Sequence, residues 1–243
     1  MVELPEPHRL EANLVMLCEG ASDNEFFERL IEKNKLPPFS FPFPPHPKFV
    51  VDGAPALHGR DGFINMLTRL NDYFKLVPEL NARMKGILLA VDAAENADET
   101  FQAVKKQVAD AGEFGVPNKP QEIAKSSIRP ALSIIVVSAD GKKGSLESLC
   151  VEAMAKKFDA EAKCMESFFK CCPTDFAKWK TERYDKARLR CMIAATYEPD
   201  PSRSTGTAFS KAKNKPAAID IGDDVFKPLA EELKAFCEGV ESA

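Results

Sequence analysis

Three stretches of the chain are apolar at nearly every position instead of at alternate ones: Leu14-Val15-Met16-Leu17-Cys18, Gly86-Ile87-Leu88-Leu89-Ala90-Val91 and Ala131-Leu132-Ser133-Ile134-Ile135-Val136-Val137. A strand with one face in water alternates, whereas a strand covered on both faces does not, so each run predicts an inner strand of a parallel sheet. Between them the apolar period changes to that of a helix. Phe26, Phe27, Leu30 and Ile31 predict one helix from Ser22 or Asp23 to about Lys35; Phe63, Ile64, Leu67 and Leu70 predict another over residues 61–74. Phe101, Val104 and Val108 mark a helix over 97–111, a further helix follows over 145–158, and residues 48–52 read as an additional strand. Strand and helix in alternation predict an α/β fold: about four parallel strands joined by right-handed crossovers and enclosed by helices.

The pattern changes after residue 159, where the chain becomes mainly helical. One helix is expected to begin at Thr174 or Asp175, with helix again over 186–196; a weak strand is expected over 217–221 and an amphipathic helix over 226–236. The Phe/Pro-rich segment 36–47 reads as an extended insertion, because each proline lacks a donor and fixes φ. Residues 198–215, rich in Pro, Ser, Gly and basic residues, read as a long loop. The expectation is a single domain over 1–243, with a core at 12–158 and a helical extension at 159–243.

With 243 residues, 44% of them hydrophobic and 29% charged, the chain is long enough to bury a full core. No apolar run approaches the roughly 20 residues that cross a bilayer, and the first residues lack the basic-then-apolar order of a secretion signal. Seven cysteines without regular spacing suit a reducing compartment, so the expected location is cytoplasmic, with no membrane partner. Cys164, Cys171, Cys172 and Cys191 include no Cys-x-x-Cys pair and no nearby histidine, which argues against zinc. His8, His46 and His58 fall in loop-like segments far in sequence from any cysteine, which argues against a thiol nucleophile.

The candidate chemistry is carboxylate. The first apolar run ends on Glu19-Gly20, the second on Asp92, and the third leads through Asp140-Gly141 to Gly144-Ser145-Leu146-Glu147. Ligands of open α/β sheets bind beyond the carboxyl ends of the strands, so these acids can meet, and acids that meet repel unless a cation or shared proton intervenes. Each also has a simpler reading: Glu19 beside a helix N-terminus, Asp92 and Asp23 as caps, and Glu147 as a first-turn acid. Lys142 and Lys143, between two glycines, could neutralise phosphate, although the full Gly-x-x-x-x-Gly-Lys-Ser/Thr pattern is lacking. A basic strip containing Lys178, Lys180, Arg183, Lys186, Arg188 and Arg190 reads either as a solvated helix face or as a nucleic-acid contact. The net charge of −4 excludes a uniformly basic surface, not a local strip.

Leu17-Cys18-Glu19-Gly20-Ala21-Ser22-Asp23-Asn24-Glu25-Phe26-Phe27 resembles the first motif of Toprim domains, the catalytic modules of topoisomerases, primases, ribosomal-RNA maturases and overcoming-lysogenisation-defect nucleases. Residues 87–98 resemble the second motif, and Gly144-Ser145-Leu146-Glu147 is similar to a segment of small stand-alone Toprim-related prokaryotic proteins. The resemblance implies a Toprim-like sheet and a Mg²⁺-dependent (or Mn²⁺-dependent) nuclease. Glu19, Asp92 and Glu147 would be its catalytic residues, with Glu19, Asp92, Glu95 and Asp23 as metal ligands and Lys142, Lys143, Lys186 and Arg188 on the nucleic acid. The usual second motif is Asp-x-Asp, and here the second acid is Ala94. That departure leaves open a non-catalytic binding module that works with an ATPase or as a homo-oligomer.

Overall fold

The computed structural model describes residues 10–43, 56–199, 201–202, 204–209 and 217–242. Four strands, β1 (Leu14–Cys18), β2 (Phe39–Ser40), β3 (Gly86–Asp92) and β4 (Ala131–Val137), form one all-parallel sheet in the order β2-β1-β3-β4. Helices α1 (Ala21–Lys33), α2 (Phe63–Leu76), α3 (Pro78–Arg83), α4 (Ala97–Ala111) and α5 (Leu146–Lys157) fill the crossovers or follow the last strand. The C-terminal region is helical: α6 (Asp159–Cys171), α7 (Thr181–Thr196), α8 (Thr205–Ala208) and α9 (Lys227–Glu241).

The continuous apolar runs follow from two separate cores, one on each side of the sheet. Leu14, Met16, Cys18, Leu88, Ala90, Ile135 and Val137 face α1, α5 and the C-terminal helices, whereas Val15, Leu17, Ile87, Leu89, Val91, Leu132 and Ile134 face α2, α3 and α4. Neither side is left to water. Phe26 of α1 centres the first core, with the rings of Phe27, Phe209 and Phe226 edge-on to it at 5.1, 5.2 and 5.2 Å. The C-terminal extension is therefore part of the same core as the sheet.

The structure departs from the sequence reading in several places. Residues 48–52 lie outside the described residues. The Phe/Pro segment itself contributes strand β2, which pairs with Leu14 and Val15 at the sheet edge, where a missing outer donor costs nothing. Residues 217–221 form no strand; the amides of Ala218 and Ile219 both donate to the Ala208 carbonyl, so the segment closes a turn. The helix expected from Thr174 or Asp175 is a 3-10 turn, Phe176–Lys178, and α7 starts afresh at Thr181. The loop 198–215 contains α8.

Candidate functional site

Successive crossovers leave β1 for β2 on one side and β3 for β4 on the other, so the boundary between β1 and β3 is where the connections diverge. Such a switch point opens a crevice at the carboxyl ends of the two strands. Glu19 follows β1 directly and Asp92 ends β3. Glu19 Oε1 accepts the Asp92 amide at 3.1 Å, which ties the two strand ends together. Asp92 Oδ1 accepts the Leu146 amide at 2.9 Å, so the first turn of α5 leans on the same carboxylate.

Asp23 enters from the first turn of α1 and Glu147 from the first turn of α5. The four carboxylates feel one another. Burial first, then Glu147 and Glu19, push the Asp23 carboxyl up to about 7. Burial, then Asp23, Glu147 and Glu19, raise Asp92 well above its ordinary range. Glu19 and Glu147 are raised mainly by burial. Glu147 is only 5% exposed, and its Oε2 is buried without a hydrogen-bond partner. Beneath them the thiols of Cys18 and Cys150 are driven up by burial and by this negative charge, which makes them packing groups, not nucleophiles.

Two cations border the acids. Arg60 reaches from the turn before α2: its Nη2 donates to the Asp92 carbonyl at 3.2 Å, and its Nε lies 3.7 Å from Glu19 Oε1. The turn is pinned by Gly59, whose amide donates to the Glu19 carbonyl at 2.6 Å, and by Gln107, whose side-chain amide donates to the Arg60 carbonyl at 2.9 Å. Gly59 has φ +72, a conformation that favours glycine. On the α7 side, burial works against the charge of Lys186, but Glu182 and Glu147 outweigh it and raise the ammonium above its usual value.

The other predicted residues are placed differently. Glu95 is turned away from the acids: its two oxygens accept the Thr181 amide at 2.5 Å and the Thr181 hydroxyl at 2.7 Å, which holds its carboxyl low and fastens the start of α7. Arg188 bonds Glu166 and lies 3.6 Å from Asp185, bracing α6 against α7 instead of entering the crevice. Lys142 and Lys143 are exposed on the loop after β4, where their amides donate to Asp140 Oδ1 at 2.9 Å each. Ala94, at φ +50, is bridged to Gly144 by two 2.8 Å backbone bonds that lock this loop to the end of β3.

Arg60 and the buried Asp185 add to what the motifs indicate. Asp185 accepts from the Ser148 hydroxyl, and that hydroxyl receives the Ser145 amide at 2.9 Å, so α7 fixes the start of α5 on which Glu147 sits. The only sequence signal for Arg60 is the Gly59-Arg60-Asp61-Gly62 turn; its approach to Glu19 is a tertiary fact.

A family model described as a protein of unknown function (DUF3226) matches residues 13–238, which takes in the whole sheet, the four acids and nearly all of the helical extension. The chain belongs to the DUF3226 family. No curated protein and no solved structure matches it. In this DUF3226 protein, among the described residues, no three His, Cys, Asp or Glu side chains are grouped so as to hold a metal ion, and no helix is long and apolar enough to cross a membrane. Two carboxylate oxygens, Glu19 Oε1 and Asp92 Oδ1, are already engaged by backbone amides.

Proposed function

We propose that the β1/β3 crevice binds a phosphodiester of nucleic acid together with a single Mg²⁺ or Mn²⁺ and hydrolyses it, as the Toprim resemblance implies. The observation that carries this reading is the meeting of Glu19 and Asp92 at the switch point, where the Glu19 carboxylate accepts the Asp92 amide and Arg60 reaches both strand ends. Acids alone would suit a proton store and cations alone an anion pocket; both together suit a metal–phosphate pair. Glu19 and Asp92 would hold the ion, with Glu147 and Asp23 within the same electrostatic group. The ion supplies charge neutralisation and a more acidic bound water.

The chain's own residues do the remaining work. Arg60, beside Glu19, and Lys186, paired with Glu182 on α7, offer positive charge to phosphate oxygens. Glu147, whose carboxyl burial raises and whose Oε2 is unpartnered, is placed to exchange a proton with a reacting oxygen. Ala94 denies the site the second acid of an Asp-x-Asp motif, which favours one ion over two. Mn²⁺-supported cleavage of DNA or RNA by the purified protein, abolished in Glu19→Ala and in Asp92→Ala with folding intact, is the expected result. Undiminished cleavage in both variants would remove the proposal.

The same Ala94 substitution favours a second reading, a non-catalytic module that serves an ATPase or a second copy of itself. Calorimetric titration separates the two. Folded protein that takes up neither Mg²⁺ nor Mn²⁺ at millimolar concentration supports the second, and saturable uptake lost in Asp92→Ala supports the first.

A further inference from the structure

We propose that the solvent face of α7 is a track for single-stranded nucleic acid leading to the acidic crevice, with Trp179 and Arg183 as its stacking station. This rests on the phosphodiester reading and adds the form of the substrate.

Helix α7 is fastened beside the crevice at two points. Its first residue, Thr181, is gripped by Glu95, three residues beyond Asp92; one turn and a half later, Lys186 is ion-paired with Glu182 and feels the charge of Glu147 and Asp92. At about 100° per residue, positions i, i+3 and i+7 share a face, so Arg183 and Arg190 flank Lys186 on one stripe. Both arginines are exposed, and among the described residues neither is in an ion pair. Lys186 between them is matched by Glu182 four residues before it, as Lys106, Lys163 and Lys234 are by acids on their own helices, so among the described residues Arg183 and Arg190 are the unpaired charges of the stripe. At the mouth of the stripe, Lys143 from the loop after β4 and Lys180 from the start of α7 both lie close enough to Glu95 to help hold its carboxyl low.

The stripe also carries a flat surface. The Arg183 guanidinium lies 4.0 Å above the Trp179 ring, and that ring is propped edge-on by Phe176 at 4.8 Å. Trp179 is half-buried and so held in place, while Arg183 is exposed. A chain of phosphates with accessible bases matches both features: phosphates for Lys180, Lys143, Lys186 and Arg190, and a base face for the Trp179–Arg183 pair. A duplex offers the charge but hides its base faces. The protein as a whole is negative, at −4, so the attraction is confined to this stripe.

Trp179 is the chain's one tryptophan, so its fluorescence reports on this place alone. The experiment titrates the full chain in EDTA with oligothymidine of about twelve nucleotides, a length within the range one single-strand module covers. Expected are quenching of Trp179, affinity that falls steeply with salt, and binding at least tenfold weaker to a duplex of equal length. Arg183→Glu combined with Arg190→Glu should weaken the single strand at least tenfold, and Arg183→Gln, which keeps the flat stack without the charge, severalfold. Equal affinity for duplex, no binding, or wild-type affinity in folded forms of these variants overturns the track. The two proposals fail separately: oligothymidine bound in EDTA by a protein that never cleaves leaves the track and removes the nuclease, whereas cleavage unaffected by both Arg183 variants does the reverse.

Discussion

Replacing Asp23 by Asn should make the metal-free protein more stable at pH 8 and leave it unchanged or slightly weaker at pH 4. The folded state holds the Asp23 carboxyl at about 7, against 3.8 in the open chain, a rise of roughly 3 units. At about 1.4 kcal/mol per unit this is about 4 kcal/mol. Below pH 3.8 both states are protonated and there is no penalty. As pH rises towards 7 the unfolded chain releases its proton while the folded one retains it, so folding stability declines; above 7 the whole cost is present. Asparagine removes that cost.

One smaller effect opposes the gain. Asp23 lies in the first turn of α1, where a negative charge contributes about 0.3 to 1 kcal/mol that asparagine forfeits. Its bond from the Gly20 amide survives, because the Asn Oδ1 is also an acceptor. The repulsion is shared with Glu147 and Glu19, so the 4 kcal/mol is an upper limit, and a net gain of about 2 to 3 kcal/mol is expected at pH 8. Urea unfolding in EDTA at pH 8 and pH 4 measures it directly. A variant no more stable than wild type at pH 8 would refute the claim that these acids crowd one another, since a simple cap can only lose by the change. On the proposed Mg²⁺ reading, added Mg²⁺ should close the gap by stabilising wild type more than the variant.

Gly144→Ala should cost about 1 to 3 kcal/mol, because a Cβ there would meet Ser148 Oγ at 3.0 Å and the backbone holds φ +118; thermal melting checks it. Thr181→Val removes one of the two bonds to Glu95 and should cost about 1 kcal/mol, with faster amide exchange confined to the first turns of α7. Phe26→Ala, at the centre of the core shared by α1, α8 and the turn before α9, should cost about 3 to 5 kcal/mol by urea unfolding. A smaller loss would mean that the C-terminal region packs more loosely on α1 than the ring contacts indicate.

The inner sheet was legible because burial on both sides leaves a mark that needs no partner to read: β1, β3 and β4 coincide with the three continuous apolar runs to within a residue, and α4 spans the residues its period indicates. Elements whose existence depends on something distant were not. Strand β2 is two residues long among prolines and exists because β1 offers it an open edge. Helix α3 is six residues, signalled only by Pro78 at its start. Residues 217–221 carry a strand-like composition but spend their amides on Ala208, a carbonyl supplied by α8.

The site divides along the same line. Glu19 and Asp92 could be found from the chain because a parallel sheet places its strand ends at one edge, and the connectivity then makes β1 and β3 neighbours at the switch point. Glu95, three residues past the strand, had the right charge and the wrong direction, because the left-handed Ala94 bridged to Gly144 turns the backbone before it and gives the carboxylate to Thr181. Arg60 had no mark beyond its Gly-flanked turn, since a turn before α2 meets Glu19 only once α2 is packed on the face opposite α1. A strand end can be inferred from one segment, but the cation that balances it is supplied by whichever loop the opposite layer brings across. In this fold the acids come from the sheet and the two helices that start beside it, and the balancing charges come one from each covering layer: Arg60 before α2 and Lys186 on α7. The crevice is therefore assembled only when both layers are docked, which is why loosening α7 at Thr181 should disturb the site before it unfolds the sheet.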